Sequence, residues 1–581
     1  MEFFVNMASK LTKGAAFSKG ASASEQSNSF TMRNKPIHSN RHLRVICIGA
    51  GASGLYMAYK LKHYFTDFTL DVYEKNPDIG GTWYENKYPG CACDTPAHIY
   101  TYTFEPKPDW SASYASSREI FTYFSDFVGK YGLRQYISCD HEVIGAVWDK
   151  TEWVVTVLNK KDHTVFEKRS DFLINASGVL NKWKWPAIPG LQSFQGKLLH
   201  SAAWDETVDL SGKHVGLIGN GSSGLQILPE IQKTASHVTT FIRQPEWIHP
   251  FIETEYQLYT DEQKRRFRDE PGVLLEMRRV TEIALNRVIP LYQKDSSIQA
   301  KAASVAKDNM QKKLRPELAE KLIPDFPLGC RRLTPGENYL EALALPNVST
   351  ICGGVTEVTP KGCVTDNGVE TALDVLVCAT GFDTTFRPPF PVVGRRKDVD
   401  LATEWESEPR SYLSLAAHGY PNYFMFLGPN SPIANGPIIF GIELQGEYMA
   451  RFLNRWQKED IGSFDPKREA VDDFMQQKDA FMPSSVWEGG CRSWYKDPRS
   501  GKVTAVWPGS TLHYMETLSD VRWDDFDVTY NGNRFAYLGN GISQIELDPS
   551  ADLAYYIREK DDGVPLSRST MSTLNIKESS F

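Results

Sequence analysis

The 581-residue sequence lacks any run of about 18 consecutive apolar residues, the length a helix needs to cross a bilayer, so no membrane span is expected. It also lacks a basic excess. Lys and Arg number 64 against 72 Asp and Glu, a net charge of -8, which argues against a nucleic-acid partner. Cysteine is scarce: nine, an odd number, thinly spread. Cys91 and Cys93 form the one close pair, and no second pair or histidine set joins them. Neither a metal site nor a disulfide framework is therefore predicted. Cys47 and Cys378 fall in apolar strands, where a free thiol behaves as a small hydrophobe. A reducing, cytoplasmic setting is the expectation. Residues 1–40 are short of acids, with only Glu2 and Glu25, and are rich in Ser, Ala, Lys and Asn. They read as a disordered tail without the apolar core of a secretory leader.

What remains is ordinary for a globular chain: 41% hydrophobic and 23% charged residues, in a length that calls for more than one domain. Two stretches stand out. Residues 44–49 read as a buried strand, followed by Gly49-Ala-Gly51-Ala-Ser53-Gly54, a helix, and a strand ending at Glu74 and Lys75. The glycines permit a tight turn and close approach of a pyrophosphate to a helix N-terminus, while an acid at the second strand end suits ribose hydroxyls. The pattern recurs as a strand from His214, then Gly219-Asn-Gly221-Ser222-Ser223-Gly224 and a helix that Pro229 should kink or end. Its second strand ends in Arg243. An Arg at that place suits a 2′-phosphate. The first unit is thus expected to take FAD and the second NADPH.

Between the units lies Phe194-Gln-Gly196-Lys-Leu-Leu-His200-Ser-Ala-Ala-Trp204-Asp205, which alone reads as a packed linker. Earlier come Gly80-Gly81-Thr82-Trp83, Tyr88-Pro89-Gly90 and Asp94, marking loops. The stretch to about 136 is aromatic and irregular, and 141–175 alternates as an antiparallel meander. Residues 256–323 read as a helical insertion. Then come Cys330-Arg331-Arg332, a helix from Asn338, and a strand from Asp374 running into Ala379-Thr380-Gly381. Like Ala176-Ser177-Gly178, this is a small-residue strand end that suits a crossing between interleaved nucleotide domains.

With these pieces in place, the chain resembles the flavin-dependent Baeyer–Villiger monooxygenases, the branch found in fungal natural-product pathways. The carrying residues are the two glycine fingerprints, the stretch Phe194 to Asp205, and Gly80-Gly81-x-Trp83 with Tyr88-Pro89-Gly90 and Asp94. The resemblance implies an α/β fold of two interleaved Rossmann-like domains with a helical insertion. FAD would lie in 41–190 and 381–565, NADPH in 191–250 and 328–380, the insertion would be 251–327, and 566–581 a flexible tail. It implies a ketone, O₂ and NADPH as reactants and an ester or lactone as product. No protein partner is expected. Attack by an anion on a carbonyl needs a fixed cation in a dry site. By resemblance that cation is Arg332, with Arg331 as the alternative, and Asp94 orients it. His200 and Trp204 match residues that transmit domain motion. The cofactor contacts expected are Gly49, Gly51, Ser53, Gly54, Glu74, Lys75, Gly81, Thr82, Trp83 and Asp94 for the flavin. For NADPH they are Gly219, Gly221, Ser222, Ser223, Gly224 and Arg243, and Thr380 and Gly381 are further cofactor contacts at the small-residue crossing. An N- or S-oxygenating flavin enzyme is the first alternative, and a flavin-binding redox sensor the second. Residues 100–115, 250–330 and 430–510 are expected to shape the substrate pocket, for a bulky polycyclic or macrocyclic ketone.

Overall fold

The computed structural model describes residues 31–249, 256–557, 559 and 560. Most of the expected N-terminal tail and all of the C-terminal one lie outside these residues. Residues 31–40, counted with the tail above, are tied down: Ile37 N–H donates to the Ile542 carbonyl and the His38 ring stacks on Tyr537.

Two five-stranded parallel sheets carry the molecule. In the first the order is Tyr423–Met425, Phe172–Asn175, Leu43–Ile48, Phe68–Tyr73 and Ile137–Ser138. In the second it is Val348–Cys352, His237–Ile242, His214–Ile218, Val375–Cys378 and Lys197–His200. Each fingerprint strand is thus the middle strand of its sheet. Register does the rest. Ile48 pairs with Tyr73 and Asn175, so Gly49, Glu74 and Ala176 meet at one carboxyl edge. Ile218 pairs with Phe241 and Cys378, so Gly219 and Ala379 meet at the other. Ligands of open parallel sheets bind at such edges. Both turns use the same backbone: φ is +101° at Gly49 and +107° at Gly219, a region costly for any residue with a Cβ.

Two sequence expectations need correction. The meander stops one strand early. His141–Asp149, Glu152–Asn159 and Val165–Ser170 are antiparallel, but Phe172–Asn175 joins the first sheet in parallel. Phe172, Leu173 and Ile174 are all fully buried, which is what a strand covered on both faces requires. The irregular stretch before residue 136 contains a helix, Ser117–Lys130, whose Ser116 side chain caps the Glu119 N–H. Its Ile120, Tyr123, Phe124 and Phe127 face the first core at helical spacing. The insertion is helical as read, with helices Asp261–Asp269, Val273–Arg287, Ser297–Lys313 and Pro316–Leu322. Pro229 sits in the last turn of Ser222–Ile231, which ends two residues on.

The stretch between the fingerprints is no free linker. Lys197–His200 is the edge strand of the second sheet, and Gly196 immediately precedes it. A Cβ on Gly196 would stand 2.3 Å from the Asp374 carbonyl oxygen and 2.6 Å from the Phe194 ring. That carbonyl accepts the Lys197 N–H at 3.0 Å, the first ladder bond of the edge. Gly196→Ala is therefore expected to cost about 1–3 kcal/mol as an overpacked contact and to lower the thermal unfolding midpoint. An unchanged midpoint would show that the edge strand shifts freely.

Candidate active site between two nucleotide clefts

The first cleft opens at the carboxyl edge of the first sheet. Gly49, Gly51, Ser53, Glu74, Lys75, Gly81, Thr82 and Trp83 line it, with Ala176, Ser177 and Gly178. Helix Ala52–Tyr64 begins there at Gly51, with no side-chain cap and no acid in its first turn. Its free amides and positive dipole end face the cleft. Helix Ser222–Ile231 starts at Gly221 in the same way, uncapped and without an acid. Side-chain caps do occur in the chain, at Ser116 and Thr260 for example, but not at these two helix ends. Two bare helix ends beside two glycine turns are anion sites in the making, and they fit the pyrophosphates of two dinucleotides. Gly81 supports the first cradle: its Cβ would sit 3.0 Å from the Gly51 Cα. Gly54 serves packing instead, since its Cβ would lie 1.9 Å from the Gly49 carbonyl oxygen.

Glu74 is buried, and burial raises its pKa against the hydrogen bonds it receives from the Ala50 and Asn76 amides. Those bonds hold the carboxylate at the cleft wall, where a ribose would lie. Lys75 lines the same wall but is engaged, by Glu85 at 2.9 Å and by the Asn181 side chain at 2.8 Å.

Asp94 and Arg332, 238 positions apart in sequence, meet as a two-pronged pair. Arg332 Nε donates to Asp94 Oδ2 at 2.6 Å and Nη2 to Oδ1 at 2.7 Å. Nη1 donates to the Ile433 carbonyl at 3.2 Å, and the buried Tyr495 hydroxyl lies within hydrogen-bonding range of the same guanidinium. A third of the Arg332 side chain stays exposed. The charge of Asp94 raises the Arg332 pKa well above its ordinary value against burial. Burial pushes the Asp94 carboxyl up, but the Arg332 charge and hydrogen bonds outweigh it and leave it below the usual range. Both groups stay ionised at neutral pH. Tyr100, which lines the first cleft, lies within electrostatic reach of both, so the pair stands beside that cleft. Arg331 points away, to Glu246, Gln244 and the Pro245 carbonyl.

His200 sits at the crossings between the two units. The outgoing segment after Gly178 and the returning one after Ala379 run side by side, bridged between Trp183 and Phe382, with the Asp383 N–H on the Lys182 carbonyl. His200 lies between them: its ring stacks on Trp183 at 4.6 Å and meets Trp185 edge-on. Ala202 N–H donates to Nδ1, which leaves the proton on Nε2, 3.3 Å from Thr380 Oγ1. Burial pushes its pKa down to about 4, so it is neutral at neutral pH. The expected members thus separate. Asp94 joins Arg332, and Thr380 joins His200. Trp204, half-buried, packs on the core around the second sheet. Asp205 pairs with Lys197 at 2.8 Å and accepts from the Thr207 amide and hydroxyl.

Several site residues escaped the sequence reading. Tyr88-Pro89-Gly90 is more than a loop marker: Tyr88 hydroxyl donates to the Gln226 side chain at 2.9 Å, on the helix of the second fingerprint. A Cβ on Gly90 would stand 2.5 Å from the Gln226 carbonyl oxygen. The expectation of free cysteines throughout also fails, because Cys330 and Cys491 form a disulfide across 161 positions. Nothing in their spacing signals a pair. Among the described residues seven cysteines are free, no group of three or more His, Cys, Asp or Glu could hold a metal ion, and no helix is long and apolar enough to cross a membrane.

Residues 47–116 match the family of NAD(P)-binding Rossmann-like domains. Over 546 residues the chain is 40% identical to the FAD-binding monooxygenase tazF of Aspergillus terreus, covering 90% of this chain and 96% of that one. It is 32% identical to a Baeyer-Villiger monooxygenase of Pseudomonas aeruginosa, over 94% of this chain and 99% of the other. Its fold is similar to that of cyclohexanone monooxygenase from Rhodococcus sp. Phi1 bound to NADP+, with a TM-score of 0.73, 27% identity, and coverage of 85% of this chain and all of that one.

Proposed function

The chain belongs to the FAD-binding monooxygenases of Baeyer–Villiger type, which are NADPH-dependent flavoenzymes, and on that premise we propose that it converts a large, mainly apolar ketone to an ester or lactone in a fungal secondary-metabolite pathway. The observation that carries the reading is the Asp94–Arg332 pair beside the first cleft.

Bound FAD would supply the chemistry, taking a hydride from NADPH and activating O₂ for attack on the carbonyl. The chain's residues supply the rest. Gly49, Gly51 and Gly81 with the bare helix end hold the flavin's pyrophosphate, and Glu74 its ribose. Gly219, Gly221, Ser222, Ser223 and Gly224 do the same for NADPH, whose 2′-phosphate falls to Arg243. Arg332 fixes a positive charge where negative charge develops on oxygen, and needs no reorganisation to do so. Asp94 sets the plane of its fork, and Tyr495 and the Ile433 carbonyl hold the other edge. His200 and Trp204 act on the relative placement of the two units, with Thr380 and Gly381 at the return crossing.

A hollow of about 470 Å³ supports a large substrate. Tyr292, Phe474, Trp487 and Trp507 line it, and Tyr292 lies within electrostatic reach of Arg332. The test is incubation of the purified flavoprotein with NADPH, ¹⁸O₂ and a panel of ketones from cyclohexanone to polycyclic ones. One labelled oxygen per product is expected, favouring the larger ketones. NADPH consumption with no labelled product from any of them would overturn the reading.

A further inference from the structure

Arg331 and Arg492 both lie within electrostatic reach of Arg243, at the carboxyl end of the second sheet. Arg243 directly follows strand His237–Ile242. Arg331 reaches the residues next to it: Nη2 donates to Gln244 Oε1 at 2.7 Å, and Nη1 to the Pro245 carbonyl at 3.1 Å and to Glu246 Oε2 at 3.0 Å. Arg492 arrives from the last third of the chain. What brings it there is covalent. The disulfide joins Cys330 to Cys491, with Cα atoms 6.3 Å apart, and each half-cystine is followed at once by one of these arginines. One bond therefore sets the places of Arg331 and Arg492 together.

The cluster is short of negative charge. Glu246 answers Arg331. Burial, then Arg492 and Arg331, push the pKa of Arg243 down, and no carboxylate acts on it in the other direction. Arg492 is exposed. Like charges at such range repel, and the repulsion is relieved when an anion sits among them. The fingerprint points the ligand there: the Asn220 side chain, between Gly219 and Gly221, donates to the Gln244 carbonyl at 3.0 Å. A dinucleotide whose pyrophosphate lies on helix Ser222–Ile231 would carry its adenosine ribose toward this strand end.

We propose that Arg492, held by the Cys330–Cys491 disulfide, completes with Arg243 and Arg331 the site for the 2′-phosphate of NADPH, so that the disulfide sets the preference for NADPH over NADH. This rests on the NADPH-dependent reading above. Arg492 supplies a third charge to a dianion that two arginines, one already shared with Glu246, would neutralise incompletely. A guanidinium on an exposed loop is worth little unless the loop is fixed, because ordering a long side chain offsets the gain. The disulfide fixes it.

The test is binding, not turnover. Dissociation constants of NADP+ and NAD+ are measured by calorimetry on the full-length flavoprotein. The wild type is expected to bind NADP+ more tightly. Arg492→Ala should weaken NADP+ about ten-fold, the size of one charge-assisted phosphate contact, and leave NAD+ within about two-fold. Arg492→Lys should recover part of the loss. Dithiothreitol, which is oxidised to its cyclic disulfide as the cystine takes up two electrons and two protons, should reproduce the loss in the wild type. It should add nothing in Arg492→Ala. The double variant Cys330→Ser, Cys491→Ser should behave as the reduced wild type. An NADP+ constant within about two-fold of wild type in Arg492→Ala, or equal weakening of both dinucleotides, would overturn the proposal. If the wild type binds both alike, the NADPH reading fails instead.

Discussion

Replacing Arg332 by alanine is expected to leave the flavin bound and to lower ester formation by about 10²- to 10³-fold, the loss typical of a donor aimed at a developing oxyanion. The reasoning starts from the pair. Asp94 holds Arg332 by two short bonds, so the cation is already placed before any substrate arrives. Charge that is placed in advance in a partly dry site acts more strongly than the same charge in water. Arg332→Lys should recover only part, since an ammonium is a point charge and cannot keep both prongs on Asp94. Asp94→Ala should cost nearly as much, because it leaves the half-buried Arg332 beside no counter-ion and free to turn. The double variant should then be little worse than either single one, the mark of residues that act as a unit. Sulfide oxidation separates the reaction classes. It places less demand on a fixed cation, so Arg332→Ala should retain it better than ketone oxidation. Ester formation within ten-fold of wild type in Arg332→Ala would remove Arg332 from the mechanism.

The parts of this site that sequence reveals are those whose signal is local. Gly49 and Gly219 repeat one backbone turn, and a turn is written in consecutive residues. Glu74 and Arg243 end the neighbouring strands, so the cofactor reading needs only strand, turn, helix and strand. The same holds for the insertion, whose helices are set by composition and spacing. Arg332 needed the resemblance, because nothing adjacent distinguishes it from Arg331. The structure separates the two by partner: Asp94 for one, Glu246 for the other. What stays hidden is contact across distance. The disulfide between Cys330 and Cys491, Tyr495 beside Arg332, and Tyr88 on Gln226 each join residues with no sequential relation. The strand Phe172–Asn175 was misplaced for a related reason. It directly follows an antiparallel meander, and its own pattern states that it is buried but not on which sheet.

His200→Ala is expected to retain FAD and to lower coupled turnover about ten- to hundred-fold, with hydrogen peroxide released in place of ester. His200 does not line the first cleft. It packs between the outgoing crossing, through Trp183 and Trp185, and the returning one, through Thr380. Removing the ring leaves a hole at the place where the two units join, and a misplacement of about 1 Å at a remote reacting centre can cost 10²-fold. Rapid-mixing measurements on the flavin absorbance should show reduction by NADPH still occurring and the later, oxygen-dependent phases disturbed. Normal kinetics in both phases would sink the role. The protonation state gives an independent check. His200 has its folded pKa pushed down to about 4 from an ordinary value of 6.5. Between those values the unfolded chain binds the proton and the folded chain does not. Its stabilising contribution is therefore full above pH 6.5 and is lost as pH falls toward 4. His98, also pushed down by burial to about 4, has the same sign, while Glu282 and Glu443, raised by burial to about 7, have the opposite one. The total pH profile of stability thus mixes several groups, and only the difference between proteins isolates His200. The deficit in unfolding midpoint of His200→Gln relative to wild type should be largest at pH 7.5 and shrink by pH 5. A deficit that does not change with pH would mean that His200 is not held neutral, and the stacked, singly protonated ring at the crossing would lose its support.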